Sequence, residues 1–257
     1  MFSTIYTALS GMLGFSKGLD VISNNIANLN TPGFKSSELE FRDLFYRYTQ
    51  GGGSDQEGER SQIGAGLDTK GTRTAFREGE MQDSGNPLDI AIDGKAFLAV
   101  QTAAGERYTR DGGLQINNQG QLVTASGDPV LGNSGPIVFQ PTDKAITIAA
   151  DGNITVLEGT GRTDSVRGKL RLVSFADAQK LVKEGSNLYS AGQGVAAQPD
   201  TKSRVRQGFI EKSNVNSVHE MSRMIEITRT YTQISAMLQQ QHDLHRTAVD
   251  KLADVPA

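Results

Sequence analysis

The stretch "SNNIANLNTPGFK", residues Ser23–Lys35, ends an apolar and periodic N-terminal segment with several asparagines and a Thr-Pro-Gly break. Asparagine is unfavourable inside an exposed helix because its amide competes for backbone hydrogen bonds. It becomes useful where that amide meets polar groups on a packed neighbour. Asn30 suits the left-handed conformation that caps a helix, and Thr31, Pro32 and Gly33 predict a type II turn. The stretch therefore predicts a helix that ends at a fixed place.

The two ends of the chain share a heptad pattern of apolar side chains. Before the break the spacing alternates between three and four residues at Ile5, Ala8, Met12, Phe15, Leu19, Ile22, Ile26 and Leu29. Near the other end it does so at Met224, Ile227, Tyr231, Ile234 and Leu238, after Ser213 or Asn214 as the expected N-cap. Such seams are typical of helices that pair as a coiled coil.

Between these helices the sequence is typical of short β-strands separated by turns. "LDIAIDGKAFLAVQ" predicts two strands around Asp93-Gly94, and "RYTRDGGLQI" predicts a hairpin around Asp111-Gly112. Further strand pairs are predicted in "LQINNQGQLVTASGDPV" and in "AITIAADGNITVLE". The expected fold class is therefore α+β, with a central antiparallel β domain flanked by N- and C-terminal helices that pair as a coiled coil.

Three parts of the chain are expected on these grounds. They are a terminal helical assembly domain (1–35 with 213–257), connectors and extended β segments (36–86 with 176–212) and an antiparallel β domain (87–175). The composition of Gln50–Gly58 predicts a flexible loop, and that of Gln193–Lys202 predicts a second polar connector.

The terminal helices are expected to become ordered on assembly. Gly11, Gly14 and Gly18 each weaken an isolated helix by about 1 kcal/mol, although they let a neighbouring backbone come close. The predicted assembly interface consists of the seam residues above together with Asn24, Asn25 and Asn28, whose amides would fix the register.

Composition and motifs exclude several classes of protein. The net charge of -3 argues against a nucleic-acid partner, and the lack of cysteine excludes thiolate nucleophiles and Cys-ligated zinc. No apolar run is long enough for membrane insertion, and Lys17 follows the apolar N-terminal residues instead of preceding them, which argues against a cleaved signal peptide.

Catalytic and metal-binding motifs are incomplete. His219-Glu220 begins the zincin pattern, but Arg223 stands where the second histidine belongs. His242 and His245 have no third ligand near them in the sequence, which favours polar helix packing. We therefore expect a non-enzymatic protein with no catalytic residues, cofactor or metal.

The opening stretch resembles the N-terminal signature of the bacterial flagellar basal-body rod and hook family. In that signature Asn-Asn-(aliphatic)-Ala-Asn precedes Thr-Pro-Gly-Phe and a basic residue, and here it runs from Asn24 to Lys35. "PLDIAIDGKAFLAVQ" and "YTRDGGLQINNQGQLVTASGDPVLG" are similar to the family's central β domain. "EKSNVNSVHEMSRMIEITRTY" is similar to its C-terminal helix, so the resemblance covers both helices and most of the middle.

The resemblance implies a structural subunit of the rod, exported through the flagellar type III apparatus without a cleaved signal. Such a subunit would assemble helically in the periplasmic space, with copies of itself and with other rod proteins, into part of the torque-transmitting drive shaft. "GDPVLGNSGPIVF" with "ITIAADGNITV" resembles proximal rod members, whereas "SQIGAGL" at Ser61–Leu67 resembles distal ones. The proximal position is the expectation.

Two other classes of protein stay open at this point. A soluble enzyme built on the β domain would need titratable groups that converge in a cleft. A regulatory or chaperone-like protein would use its terminal helices to bind one partner and would stay monomeric without it.

Overall fold

The chain forms two units, one helical and one made of β-strands. The computed structural model describes residues 2–43, 67–159, 164–192 and 194–253, with side chains for 10–39, 71–159, 164–192 and 194–248. The helical unit contains the described parts of Met1–Ala27, Ser37–Arg73 and Asn216–Ala257, and the β unit those of Asn28–Ser36 and Thr74–Val215. The predicted loop Gln50–Gly58 and most of Ser61–Leu67 lie outside the described residues.

The helical unit is built from helices α1 (Phe2–Ala27) and α2 (Ser217–Ala253) and strands β1 (Ser37–Asp43) and β2 (Leu67–Thr74). Helix α1 packs against α2 and β1, and β1 pairs with β2. The α+β class, with a helix at each end of the chain and β structure between them, is confirmed.

The ends of the two helices differ from the prediction. Helix α1 stops at Ala27, before Leu29, and Asn30 does not have the positive φ predicted for a cap. The residues after Ala27 form a turn, in which the Thr31 N–H donates to the carbonyl of Asn28 at 3.3 Å. Helix α2 is capped by Asn216, whose Oδ1 accepts from the His219 N–H at 3.0 Å. The predicted caps at Ser213 and Asn214 are therefore wrong.

The remaining strands belong to the β unit. In chain order they are β3 (Met81–Asp83), β4 (Ile90–Asp93), β5 (Phe97–Thr102), β6 (Gly105–Thr109), β7 (Leu114–Ile116), β8 (Leu122–Thr124), β9 (Leu131–Gly132), β10 (Gly135–Pro136), β11 (Asp143–Ile148), β12 (Asn153–Glu158), β13 (Asp164–Lys169), β14 (Leu172–Ser174), β15 (Leu181–Gly185), β16 (Leu188–Ala191), β17 (Gln198–Pro199), β18 (Arg204–Gln207) and β19 (Phe209–Glu211). A short 3-10 turn at Ala178–Lys180 precedes β15.

These strands form one larger sheet and several small ones. The six-stranded sheet has the order β15-β16-β6-β5-β14-β17, a three-stranded sheet has the order β11-β12-β13, and the remaining pairs are β3-β19, β4-β18, β7-β8 and β9-β10. The β unit extends beyond residues 87–175, because β16 pairs with β6, β17 with β14 and β18 with β4. The expected connector Gln193–Lys202 contains β17.

Local hairpins are partly as predicted. Strands β7 and β8 pair antiparallel, as do β11 and β12 around Asp151-Gly152. The predicted hairpin around Asp111-Gly112 is wrong, because β6 pairs with β5 and β16 whereas β7 pairs with β8. The Ile90 N–H donates to the Gly112 carbonyl at 2.9 Å, so this glycine docks on β4 and the chain does not reverse there.

The core lies on both faces of the six-stranded sheet. Leu98 and Val100 of β5 belong to one buried cluster, and Phe97 belongs to a second. An apolar run without alternation is typical of a strand that is covered on both faces. The second cluster contains Tyr189, whose ring centroid lies 5.9 Å from that of Phe97.

Candidate assembly site

The two terminal helices contact each other inside the helical unit. A Cβ on Gly18 of α1 would lie 3.1 Å from Cδ1 of Ile227 in α2, and the side chain of Ile22 is buried. The other described seam residues are half-buried: Met12, Phe15, Leu19, Ile26, Leu29, Met224, Ile227, Tyr231, Ile234 and Leu238. Ile5 and Ala8 lie in α1, and their side chains are outside the described ones.

The most buried described row of α1 is not the whole heptad seam. It consists of Gly14, Gly18, Ile22 and Asn25, whose positions are three or four residues apart. Small residues at this spacing lie on one face of a helix and let a neighbouring element approach closely. In the sequence, the spacing of the glycines predicts the close approach of a neighbouring backbone. It does not show that Ile22 and Asn25 continue the same buried row.

The asparagine cluster has divided roles. The amide of Asn25 is buried and forms two hydrogen bonds with the backbone of Ser37, each 2.9 Å long, in which Nδ2 donates and Oδ1 accepts. These bonds tie the end of α1 to the start of β1 within one chain. Asn24 is exposed, and Oδ1 of half-buried Asn28 accepts from the Thr31 hydroxyl at 3.1 Å.

A second apolar face of α2 is exposed. The exposed fractions are 73% for Val218, 50% for Met221 and 59% for Ile225. Their spacing of three and four residues places them on one face of the helix, which differs from the face of the predicted seam. An exposed apolar patch of this kind is typical of an interaction surface. This face was not predicted from the sequence because the longer seam dominated the pattern.

The Thr-Pro-Gly turn is fixed by the β unit. The Phe34 N–H donates to the Thr31 carbonyl at 3.3 Å, and Gly33 has a φ of 68°. The Gly33 N–H donates to the Glu211 carbonyl at 2.7 Å, and a Cβ at this position would lie 2.5 Å from the carbonyl carbon of Arg110. Position 33 therefore requires glycine for its backbone conformation and for the close approach.

A buried charge cluster follows the turn. Nζ of Lys35 lies 2.5 Å from Oε1 of Glu211, and both side chains are fully buried. Arg110 Nε lies 3.4 Å from Oε2 of the same carboxylate. Burial lowers the pKa of Lys35, and the charge of Glu211 opposes that lowering. Burial also raises the pKa of Tyr189, whose hydroxyl has no hydrogen-bond partner among the described residues.

Two side chains from β15 and the loop after it hold the turn from another side. Nζ of Lys183 lies 3.8 Å from the ring centroid of Phe34 and donates to the Lys35 carbonyl at 3.0 Å. Burial lowers the pKa of Lys183 to about 8. Nδ2 of Asn187 donates to the Pro32 carbonyl at 2.8 Å. The turn is thus a docked part of the β unit.

The described residues contain no group of three His, Asp or Glu that could hold a metal. Neither of the described helices is apolar enough to cross a bilayer. An open groove beside Ile116 and Phe139 is lined by one carboxylate, that of Asp143. Hydrogen bonds from Arg167 at 2.6 and 2.7 Å lower the pKa of Asp143. That pairing leaves this groove without a free general base.

Comparison with protein families gives three matches along the chain. Residues 5–35 match the flagella basal body rod protein family, and residues 91–156 match the flagellar hook protein FlgE/F/G D1 domain. Residues 206–251 match the C-terminal region of the flagellar basal body rod FlgEFG proteins.

Individual relatives match over nearly their whole length. The flagellar basal-body rod protein FlgF of Caulobacter vibrioides is 36% identical over 256 residues, which span 99% of this chain and 100% of that protein. FlgG of Bacillus subtilis is 36% identical over 250 residues, spanning 93% of this chain and 94% of its own. FlgF of Mesorhizobium japonicum is 31% identical over 242 residues, with 93% of both chains covered. The chain therefore belongs to the flagellar basal-body rod and hook family.

Proposed function

We propose that this protein is a structural subunit of the flagellar basal-body rod. The observation that carries the proposal is the match to rod proteins over 99% of the chain. In this role the protein assembles with copies of itself and with other rod proteins through its terminal helices. The exposed face of α2 formed by Val218, Met221 and Ile225 supports this role, because a helix that already packs on one side keeps apolar surface for a neighbour.

The finer features of the assembly belong to the same proposal. The terminal helices pair as a coiled coil, and subunits join by head-to-tail contacts that do not close, which produces a helical shaft. The protein is exported through the flagellar type III apparatus without a cleaved signal and takes its place in the periplasmic space. The resemblance of "GDPVLGNSGPIVF" to proximal rod members supports a proximal position.

The test compares two aspartate substitutions at exposed apolar residues. Ile225→Asp places a charge on the exposed face of α2, and Val166→Asp does the same at a residue of β13 that is 67% exposed. In a strain without its own copy, we expect Ile225→Asp to prevent rod formation and swimming, because burying a charge against a neighbouring subunit is unfavourable. Val166→Asp should support both. Normal rods with Ile225→Asp would contradict the proposal.

A third variant tests the packing of α1. Ile22 is 3% exposed, so Ile22→Asp buries a carboxylate inside the helical unit. We expect it to abolish assembly while the β unit remains folded, as measured by limited proteolysis of the purified protein. Swimming cells with Ile22→Asp would show that rod assembly does not depend on the packing of α1.

A further inference from the structure

The chain passes between the helical unit and the β unit at four points. These points follow Ala27, Ser36, Arg73 and Val215. Inside the β unit, the residues next to them belong to three segments, which are 28–36, 74–80 and 209–215. All three segments meet around the buried Lys35 and its partners.

Backbone and side-chain bonds join the first segment to the third. The Gly33 N–H donates to the Glu211 carbonyl at 2.7 Å, and the Asn214 N–H donates to the Phe34 carbonyl at 3.3 Å. Oδ1 of Asn214 accepts from the Ser36 N–H at 2.8 Å. The segment that follows α1 and the segment that precedes α2 are therefore fastened to each other.

The second segment is fastened to both of the others. The Ala75 N–H donates to the Ser36 carbonyl at 2.8 Å. Nδ2 of Asn214 donates to the carbonyls of Ala75 at 2.7 Å and Arg77 at 3.0 Å. The amide side chain of this third-segment residue thus contacts the backbone of both other segments.

The charged pair completes the arrangement. Nζ of Lys35 donates to the Arg77 carbonyl at 2.8 Å as well as contacting Glu211. The Gly79 N–H donates to Oε1 of Glu211 at 2.8 Å. We use the name clasp for Lys35, Glu211 and Asn214. A buried charge pair is weak support for stability, but removing Glu211 would leave the buried Lys35 amine without the carboxylate that it contacts.

We propose that the clasp makes these three segments of the β unit into one load-bearing base, which takes up torque at the points where the chain enters and leaves this unit. The inference rests on the proposed function as a rod subunit. Each segment is a single covalent chain with rotatable φ and ψ angles, so a segment without partners would twist under load. In the clasp the three segments are bound side by side, and their hydrogen bonds share the load.

The first experiment measures the clasp in the purified full-length protein. Asn214→Ala removes the amide that joins the three segments, and Asn118→Ala, at an exposed asparagine, is the matched control. By hydrogen exchange we expect the Ser36 amide to exchange about 10- to 100-fold faster in Asn214→Ala, because the amide loses its hydrogen-bond acceptor. Exchange in β5 should be unchanged. Equal exchange of the Ser36 amide in both variants would overturn the proposal.

The second experiment measures torque in cells. Strains with Asn214→Ala or Asn118→Ala as the sole copy are compared by rotation of a bead on the flagellar stub as the viscosity of the medium rises. We expect Asn214→Ala to form rods and rotate at low load but to slip or break at high load. Rotation equal to the control at every load, with the faster exchange already measured, would overturn the clasp as a load-bearing element. Rods in that strain would leave the proposed function intact.

A control and a replacement variant separate failure of the clasp from failure of the proposed function. If a wild-type copy does not restore rods, the proposed function is contradicted and the clasp is not. Should Asn214→Ala fail to fold, as shown by circular dichroism, Asn214→Asp replaces it in both experiments. That variant keeps the acceptor for Ser36 and removes the two donors to Ala75 and Arg77, so faster exchange is then expected at the amide of Ala75 and not in β5.

Discussion

Substitution of the turn glycine, Gly33→Ala, is the sharpest test of how the Thr-Pro-Gly turn docks. At a φ of 68° an L-residue costs about 1 to 2 kcal/mol relative to glycine. The new Cβ would lie 2.5 Å from the Arg110 carbonyl carbon and 2.6 Å from the Asp111 nitrogen, where ordinary contacts begin at 3.4 Å. Because both neighbours are backbone atoms, the turn itself has to move away.

That movement breaks the 2.7 Å hydrogen bond from the Gly33 N–H to the Glu211 carbonyl. A buried group left without its partner costs about 1 to 3 kcal/mol. Together with the backbone strain, Gly33→Ala should therefore lower the free energy of unfolding of the β unit by about 2 to 5 kcal/mol.

Gly85→Ala is a matched control for the strain alone. Gly85 has the same φ of 68°, but no atom lies within 4 Å of the place that its new Cβ would take, so only about 1 to 2 kcal/mol should be lost. Urea unfolding is followed by tyrosine fluorescence, since the chain has no tryptophan and both Tyr108 and Tyr189 are buried in the β unit. Equal losses for the two variants would refute the docking of the turn against Arg110.

Two further substitutions test separate contacts. Asn25→Ala removes both hydrogen bonds to the backbone of Ser37 and should lower the free energy of unfolding of the helical unit by about 1 to 3 kcal/mol. The measurement is urea unfolding followed by far-ultraviolet circular dichroism. A loss no larger than that of Asn118→Ala would contradict this prediction. Burial gives Lys183 a pKa of about 8 in the folded protein, below the ordinary value of 10.5. Between these two pH values the lysine is protonated more in the unfolded chain than in the folded one. Its contribution therefore makes the free energy of unfolding rise with pH. Lys183→Gln should flatten that rise in urea unfolding from about pH 8 to about pH 10, and an unchanged slope would count against the burial of this amine.

Features set by neighbouring residues could be predicted from the sequence. The terminal helices follow from seams such as that of Met12 and Ile22, and the hairpin of β11 and β12 follows from Asp151-Gly152 between alternating residues. The spacing that marks each of these features lies within a short stretch of sequence, so the pattern alone predicts the element, although its packing partner is elsewhere in the chain.

Features set by distant partners could not be predicted in the same way. The hairpin expected around Asp111-Gly112 does not form, because the Gly112 carbonyl accepts a hydrogen bond from the Ile90 N–H. The alternation of apolar and polar residues does not predict this contact. Lys35 ends the signature as a basic residue that would ordinarily be exposed, and its burial depends on Glu211, 176 residues away. The exposed face around Ile225 depends on which side of α2 packs, which heptad spacing alone leaves open.

The separation of Lys35 and Glu211 also sets an order of events during folding. In a chain made from its N-terminus, Lys35 is present long before residue 211 exists, so its amine lacks the carboxylate that it contacts in the folded protein. Closing a loop of this length is slow compared with forming the hairpins inside it. The hairpins of the β unit therefore come first, and docking of residues 28–36 is a late step that no chain truncated before Glu211 completes.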